Sequence, residues 1–334
     1  MEDIAQQLDR HSLVGVVRQA LNDDRAILDT WQVQRIDYPN VSPESRGLYR
    51  VSGTARVQAM TSAWSVVLKV YAAPADPTAD DPSAVFYWQR EALAYQSGLL
   101  TDLPGPLTAP KSFGMVAWPA NRLWLWLEDI QPPGDDQWPL ARYRLAARHF
   151  GMFGGAYLTE RRIPDLPWLS RRLLHAWVAA STPLLEQAQR PSAWDHPVLR
   201  RAFPAQTVAA VLRLWAERET FLARLEGLPQ TLCHHDVWRK NLFTRTGRDG
   251  QTETVAIDWE LVGTGAAGED VGNLLGVSLL NFEVEADHAP HLAEQMLGNY
   301  LAGLHTAGWH PDTRAVEYAF NTAAALRCAF STSC

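Results

Sequence analysis

Apolar and polar positions alternate through much of the first part of the chain. Three successive segments, 31–38, 48–57 and 64–71, are rich in β-branched and aromatic residues and predict a meander of three strands. Helical spacing precedes them at 1–22 and follows them at 85–95. Two further apolar segments, 110–118 and 122–130, predict a hairpin. The pattern therefore predicts an antiparallel sheet with one helix inserted between its strands.

Beyond residue 137 the spacing of apolar residues becomes mainly helical. The spans with this spacing are 139–159, 167–187, 198–226, 269–281, 288–307 and 313–330. Two short apolar strands interrupt them, at about 231–243 and 254–258. A Pro- and Gly-rich stretch at 131–136 marks the change of pattern. We predict an α+β fold with two parts, 1–130 and 131–334.

Composition narrows the class of protein. The formal net charge of −7 argues against a nucleic-acid partner, and no window of 18 apolar residues predicts a membrane span. The three cysteines have no paired spacing, which disfavours a disulfide framework and a zinc site. We therefore expect a cytoplasmic enzyme with no membrane partner. The sequence does not indicate an oligomeric state.

The segment 231–243 carries the clearest candidate chemistry. Asp236 lies in a polar loop, Asn241 follows five residues later, and Asp258 closes the next apolar strand. Asp236 suits the orientation and deprotonation of an attacking hydroxyl, whereas Asn241 and Asp258 offer oxygen ligands to Mg²⁺. Alternatively, the loop is a polar hairpin around a core histidine. The addition of Asp258 at this distance favours phosphoryl transfer.

A charged pair is predicted in the first part of the chain. Lys69 lies within the apolar strand 64–71, where burial of its charge requires a partner. Glu91, on the helix that follows, is placed to pair with it and so to orient it toward nucleotide phosphates. Alternatively, Lys69 reaches solvent from an edge strand and Glu91 is a solvated helix charge. At the end of the hairpin, the backbone of Glu128 to Ile130 could pair with an adenine edge.

These residues, in this order, resemble the aminoglycoside phosphotransferase and choline kinase-like family of small-molecule kinases. The resemblance covers about residues 30–275. It rests on Lys69, Glu91, the strand end 124–129, His234, Asp236, Asn241, 257–259 and 268–270.

The resemblance implies a bilobal protein-kinase-like fold and a role for each matched residue. Lys69 would contact the nucleotide phosphates, Asp236 would be the catalytic base, and Asn241 and Asp258 would bind magnesium. Asp270 would brace the catalytic loop through its backbone, and His234 would pack beneath that loop.

The sequence also departs from the protein-kinase pattern. There is no G-x-G-x-x-G between the first strands, although Ser42, Ser45 and Gly47 could form a looser phosphate-binding loop. Trp259 and Glu260 replace the Phe-Gly that follows the metal-binding aspartate, which disfavours a protein-kinase activation switch. Arg239 or Lys240 could neutralise the γ-phosphate, or both could be surface cations.

The predicted function is transfer of the γ-phosphate of ATP or GTP, with Mg²⁺, to a hydroxyl of an aminoglycoside-like antibiotic or another small metabolite. The alternative is a catalytically silent kinase-like nucleotide-binding module. From Asp249 to Asp312 there are eleven acidic residues and no Lys or Arg. Glu283, Glu285 and Asp287 could therefore border a pocket for a cationic acceptor, or belong to a solvated acidic surface.

Overall fold

The structure is a computed structural model. It describes residues 4–37, 45–58, 60–119, 121–131, 138–195, 197, 201, 204–310 and 312–329. The predicted α+β arrangement is confirmed, with an antiparallel five-stranded sheet in the first part and mostly helices in the second. Ser42 and residues 132–136 of the predicted linker lie outside the described residues.

The N-terminal part begins with two helices and continues into the sheet. Its elements are α1 Ile4–Gln7, α2 Arg10–Leu21, β1 Ile27–Arg35, β2 Ser45–Val57, β3 Met60–Ala72, α3 Arg90–Gln96, β4 Leu107–Thr108, β5 Ser112–Trp118 and β6 Arg122–Glu128. The strand order in the sheet is β1-β2-β3-β6-β5. Strand β3 is therefore central, and Lys69 lies between Leu48 of β2 and Leu125 of β6. It is not an edge-strand residue.

The alternation in β3 separates a packing face from a site face. Val66, Leu68 and Val70 join a buried cluster with helix α2. Because successive side chains of a strand point to opposite faces, Lys69 and Tyr71 lie on the other side. That side faces helix α3. The pattern read from the sequence thus places Lys69 on the side where Glu91 lies.

Helix α3 begins at Arg90, five residues later than the apolar spacing predicts. The Arg90 side chain is fully buried and donates hydrogen bonds to the carbonyl oxygens of Ala84, Val85, Trp168 and Glu260. Residues 84 and 85 thus use their carbonyl groups to hold Arg90 and do not start the helix. Arg90 ties α3 to elements of the second part of the chain.

The second part contains seven helices and five short strands within the described residues. Its elements are α4 Leu140–Thr159, β7 Ser170–Arg171, α5 Leu173–Ala188, α6 Ala205–Ala216, α7 Arg218–Glu226, β8 Gln230–Cys233, β9 Leu242–Thr246, β10 Thr252–Ala256, β11 Gly263–Ala266, α8 Glu269–Leu280, α9 Ala289–Thr306 and α10 Thr313–Ala329. The helix predicted at 167–187 starts only at Leu173, because residues 170–171 pair with β11. The span 198–226 is divided at Glu217.

Two small sheets that the sequence did not predict as sheets hold the ends of the polar loop. Their strand orders are β4-β10-β9 and β7-β11-β8. Strand β8 enters the loop and β9 leaves it, so each end of the loop is fixed by a different sheet. The backbones of α4 and α9 also meet closely. A Cβ atom on Gly151 would lie 2.2 Å from the Tyr300 carbonyl oxygen, which explains the glycine there.

No helix among the described residues is both long and apolar enough to cross a membrane.

His149 links α4 to β10 and gives stability a pH dependence. Its side chain is buried, Nδ1 lies 2.8 Å from Thr254 Oγ1, and burial lowers its pKa to about 4. The unfolded chain takes up the proton near pH 6.5. Stability from neutral His149 is therefore fully present above that pH and is lost as the pH falls toward 4.

We expect His149→Gln to reduce the pH sensitivity of folding. Between about pH 7.5 and about pH 5.5, its free energy of unfolding should fall by about 1 kcal/mol less than that of the wild type. Urea denaturation at both pH values measures this, with His288→Gln, at an exposed position, as the matched control. An unchanged difference for His149→Gln would refute the assignment. Other buried titratable groups are present in both proteins and cancel in the comparison.

Candidate active site

The loop from His234 to Asn241 is held by its backbone N–H groups. Asp270, in the first turn of α8, accepts hydrogen bonds from the N–H of His234 at 2.9 Å and of His235 at 2.7 Å. His235 has a φ of 68°, so the chain turns sharply there. Asp270 thus makes the backbone contacts that the family resemblance implied.

His234 lies beneath the loop. Its Nε2 is 2.9 Å from the Ile257 carbonyl oxygen, and its Nδ1 is 3.1 Å from the Asp236 amide nitrogen, which donates to it. Nδ1 therefore accepts and Nε2 donates, which fixes a neutral tautomer. Burial lowers its pKa to about 4, consistent with a neutral ring at neutral pH. The ring also packs on Trp259, with 4.4 Å between centroids, so His234 orients the loop as expected.

Asp236 is held from one side by Asn241. The Asn241 amide nitrogen donates to Asp236 Oδ2 at 2.7 Å and to the Asp236 carbonyl oxygen at 3.0 Å. The Asp236 side chain is 24% exposed, which leaves it accessible to a ligand. Packing around the carboxyl group, and then the charge of Asp258, raises its pKa to about 6. Such a carboxylate is still ionised near pH 7 and is more basic than an ordinary aspartate.

Lys69 joins the two parts of the chain at one point. Its Nζ is 2.6 Å from Glu91 Oε2 and 2.6 Å from Asp258 Oδ1. Burial alone would lower the pKa of Lys69, but Asp258 and Glu91 outweigh it and raise the pKa well above the usual value. The predicted Lys69–Glu91 pair is confirmed. The alternatives of a solvent-facing lysine and a solvated glutamate are wrong.

Glu91 is fixed on both of its oxygen atoms. Besides Lys69, Oε2 accepts a hydrogen bond from the Tyr71 hydroxyl group, and Oε1 accepts one from the Trp259 N–H at 3.1 Å. The side chain has no exposed surface. Glu91 therefore fixes both Lys69 and the backbone immediately after Asp258.

Asp258 is in the left-handed region, with φ 67°, and caps a short turn at Trp259–Leu261. The sequence placed Trp259 and Glu260 where protein kinases have Phe-Gly, and the structure gives Trp259 a packing role. Its side chain is completely buried, and its Nε1 donates to the Ala256 carbonyl oxygen at 2.8 Å. Because the same ring contacts His234, Trp259 connects the segment at Asp258 to the loop at Asp236.

The donor set around Asp258 fits a divalent cation. Asp236 and Asp258 raise the pKa of Glu260, after burial, which places three carboxyl groups close together. Lys69 is the cation within 4.0 Å of Asp258 in the described structure. The amide nitrogen of Asn241 is committed to Asp236, so its oxygen is the atom suited to a metal. Carboxylate and amide oxygens are the ligands that Mg²⁺ prefers.

The segment after β6 is fixed by a residue that the sequence reasoning did not select. The Glu128 N–H donates to the Lys111 carbonyl oxygen at 2.8 Å, so this N–H is already used and the Glu128 carbonyl is the group left for a purine. Asp129, whose side chain is 2% exposed, accepts from Arg50 Nε at 2.8 Å and from the Ser65 hydroxyl. The roles of Glu128 and Ile130 stay predictions. Asp129 fixes the backbone between them.

The acidic stretch divides into one buried and two exposed carboxyl groups. Glu283 is 4% exposed at its side chain and pairs with Arg239, three residues after Asp236. Its other oxygen, Oε2, is buried and has no hydrogen-bond partner in the described structure. Glu285 and Asp287 are exposed. Of the two cations proposed for the γ-phosphate, Arg239 is thus paired with Glu283.

Two further residues of the site had no usable signal or only a weak one. Asn273 lies one helical turn after Asp270, so its presence on the same face could have been predicted from i, i+3 spacing. Its Nδ2 donates to the carbonyl oxygens of His235 and Val237. Arg327 reaches the same loop from the last helix, and nothing in its sequence position indicates that. Both of the tryptophans proposed for a sugar are occupied within the protein. Trp168 is buried in the core, and Trp177 packs against Arg327.

With this geometry described, comparison with known proteins gave two kinds of match. The sequence model of the phosphotransferase enzyme family, APH, matches residues 132–312. No curated protein matched the sequence.

Among solved structures, a choline kinase from Cryptosporidium parvum Iowa II matches with a TM-score of 0.54 and 14% identity, covering 96% of this chain and 87% of that one. An amicoumacin kinase, solved in complex with AMP-PNP and Ca²⁺, matches with a TM-score of 0.53 and 13% identity, covering 97% and 85%. At these identities the structural matches establish the fold alone.

Proposed function

The chain belongs to the phosphotransferase enzyme family, and from that premise we propose that it is a small-molecule kinase. In this proposal it transfers the γ-phosphate of ATP or GTP to a hydroxyl group of an aminoglycoside-like antibiotic or another small metabolite. The observation that carries the proposal is the position of Lys69, which brings Glu91 of α3 and Asp258 of the C-terminal part to one ammonium group. A buried cation between these carboxylates is suited to a polyphosphate ligand.

Asp236 would act on the acceptor. Its accessible carboxylate, held by Asn241, would accept a hydrogen bond from the acceptor hydroxyl, orient it, and take its proton as the bond to phosphorus forms. Because His234 and Asp270 hold the backbone on either side, the carboxylate needs little rearrangement to do so.

Lys69, Glu91, Asp258 and Asn241 would serve the donor. Lys69 would bind the nucleotide phosphates while Glu91 keeps its ammonium group in place. Asp258 and Asn241 would hold Mg²⁺, which supplies charge neutralisation on the phosphate oxygens when bound. Backbone groups of Glu128 and Ile130 would pair with the purine. The division into 1–130 and 131–334 would then separate donor binding from acceptor binding. Because cellular ATP and GTP are cytoplasmic donors, the proposal includes a cytoplasmic location.

A cationic acceptor is the second part of the proposal. Glu283 has an unpartnered buried oxygen close to the loop of Asp236, and the surrounding stretch carries eleven acidic residues without Lys or Arg. An acceptor with an amino group would gain from this field. Glu285 and Asp287 would contribute at longer range, from the exposed surface.

The test is a product screen by mass spectrometry. The purified protein is incubated with MgATP or MgGTP and a panel of aminoglycosides, hydroxylated amines, nucleosides and neutral sugars. We expect a phosphorylated product that disappears when EDTA removes the metal, and we expect it among the cationic acceptors. Magnesium-dependent nucleotide binding without product from any acceptor, and without hydrolysis, would instead favour the silent nucleotide-binding module. A product among the neutral sugars alone would refute the cationic acceptor but not the kinase.

A further inference from the structure

Arg327 of the last helix lies at the loop that carries Asp236. It is 91 positions later in the sequence, near the C-terminal end of α10. The residue is 4% exposed, and burying a guanidinium group to this extent is costly unless it is paired. A narrow cavity lined by Leu173, Glu269 and Ala323 adjoins it.

The hydrogen bonds of Arg327 are directed at the loop and at the residue that holds the loop. Nε donates to Asn273 Oδ1, and Nη2 donates to the His235 carbonyl oxygen at 3.3 Å. Asn273 Nδ2 in turn donates to the carbonyl oxygens of His235 at 3.3 Å and Val237 at 3.2 Å. The peptide carbonyls of the residues flanking Asp236 are thus both held. Asp270 holds the N–H groups just before them.

Arg327 also contacts Asp236 itself through charge. Its Nη2 lies 3.8 Å from Asp236 Oδ1, and its guanidinium carbon lies 4.0 Å from the centre of the Trp177 ring. Asn241 holds the other carboxylate oxygen, Oδ2. The two oxygen atoms of Asp236 therefore have different neighbours, which fixes the rotation of the carboxylate group. Stacking on Trp177 fixes the plane of the guanidinium group in the same way.

A purely structural role would be to balance the buried acids of α8. Glu269 and Asp270 are both close enough to influence Arg327. The hydrogen bonds of the guanidinium group, however, go to Asn273 and to the His235 carbonyl oxygen. This geometry favours control of the loop over charge balance alone.

We propose that Arg327 is a positioning residue for Asp236, acting from the C-terminal helix through Asn273 and the His235 carbonyl to fix the carboxylate that receives the acceptor proton. The inference rests on the proposed kinase function.

Arg327→Lys tests it, because lysine keeps the positive charge but cannot donate in the fixed fork of arginine. With MgATP alone as the probe, hydrolysed to ADP, we expect kcat to fall at least about tenfold while KM for MgATP changes less than about twofold. Amide hydrogen exchange of residues 235–237 should become faster. Asn273→Asp keeps an acceptor for Arg327 but removes the donor to the loop carbonyls, and we expect the same split.

Arg314→Lys, at an exposed position on the same helix, is the matched control and should leave kcat and exchange unchanged. If Arg327→Lys is too unstable to assay, Asn273→Asp decides the question. Unchanged kcat and unchanged loop exchange in a folded variant would overturn the inference. If the wild type turns over no nucleotide with water or any acceptor, the proposed function fails instead. The exchange measurement still shows whether Arg327 holds the loop.

Discussion

An Asp236→Asn variant is expected to lose about 100- to 10,000-fold in kcat, the range that general-base catalysis contributes. Asparagine has nearly the same shape and can still contact Asn241, but it cannot take the proton of the acceptor hydroxyl. Affinity for the nucleotide should change little, because Asp236 contacts neither Lys69 nor Glu91 in the described hydrogen bonds. Steady-state kinetics and nucleotide titration of the folded variant measure the two effects separately.

The control for this substitution is Asp165→Asn, at a side chain that is 97% exposed and pairs only at the surface. It should leave kcat unchanged. An Asp236→Asn variant with normal kcat would refute the assignment of the base. A loss confined to KM would show that Asp236 binds a substrate and does not assist the chemical step.

The parts of the site that could be predicted are those that local pattern controls. Lys69 was identifiable because a lysine in an apolar strand needs a partner, and its pairing with Glu91 is confirmed. The order Asp236, Asn241 and Asp258 was identifiable because the three residues lie within one hairpin and the following strand. The sheet and the helical part were predictable from the switch between alternating and helical spacing.

The parts that could not be predicted depend on contacts between distant segments. Arg90 seemed a neighbour of little interest, yet it is buried and holds carbonyl groups from residue 84 to residue 260. Asp129 depends on Arg50, 79 positions earlier, for its buried pairing. A two-residue strand such as β7 has too few positions to show a period. In each case, the partner lies in another element, and the side chain itself resembles an ordinary surface charge.

An Asp258→Asn variant is expected to lose about 1,000-fold in kcat/KM for MgATP. A metal ligand is worth several kcal/mol of charge stabilisation in the transition state, and each 1.36 kcal/mol changes the rate about tenfold. Asparagine is the informative substitution because it tolerates the left-handed backbone, φ 67°, that Asp258 adopts. The turn at Trp259–Leu261 and the contact with Lys69 can then remain while the negative charge is removed.

Magnesium dependence separates this effect from simple misfolding. In the wild type, thermal stabilisation by ATP should increase when Mg²⁺ is added, because ligand that binds only the folded state raises its stability. In Asp258→Asn that magnesium-dependent increase should be lost while the melting temperature of the free protein stays near the wild-type value. Asp102→Asn, at a side chain that is 84% exposed, should keep both activity and the increase. If Asp258→Asn retained normal turnover with normal magnesium dependence, Asp258 would not be a metal ligand, and its role would reduce to holding Lys69.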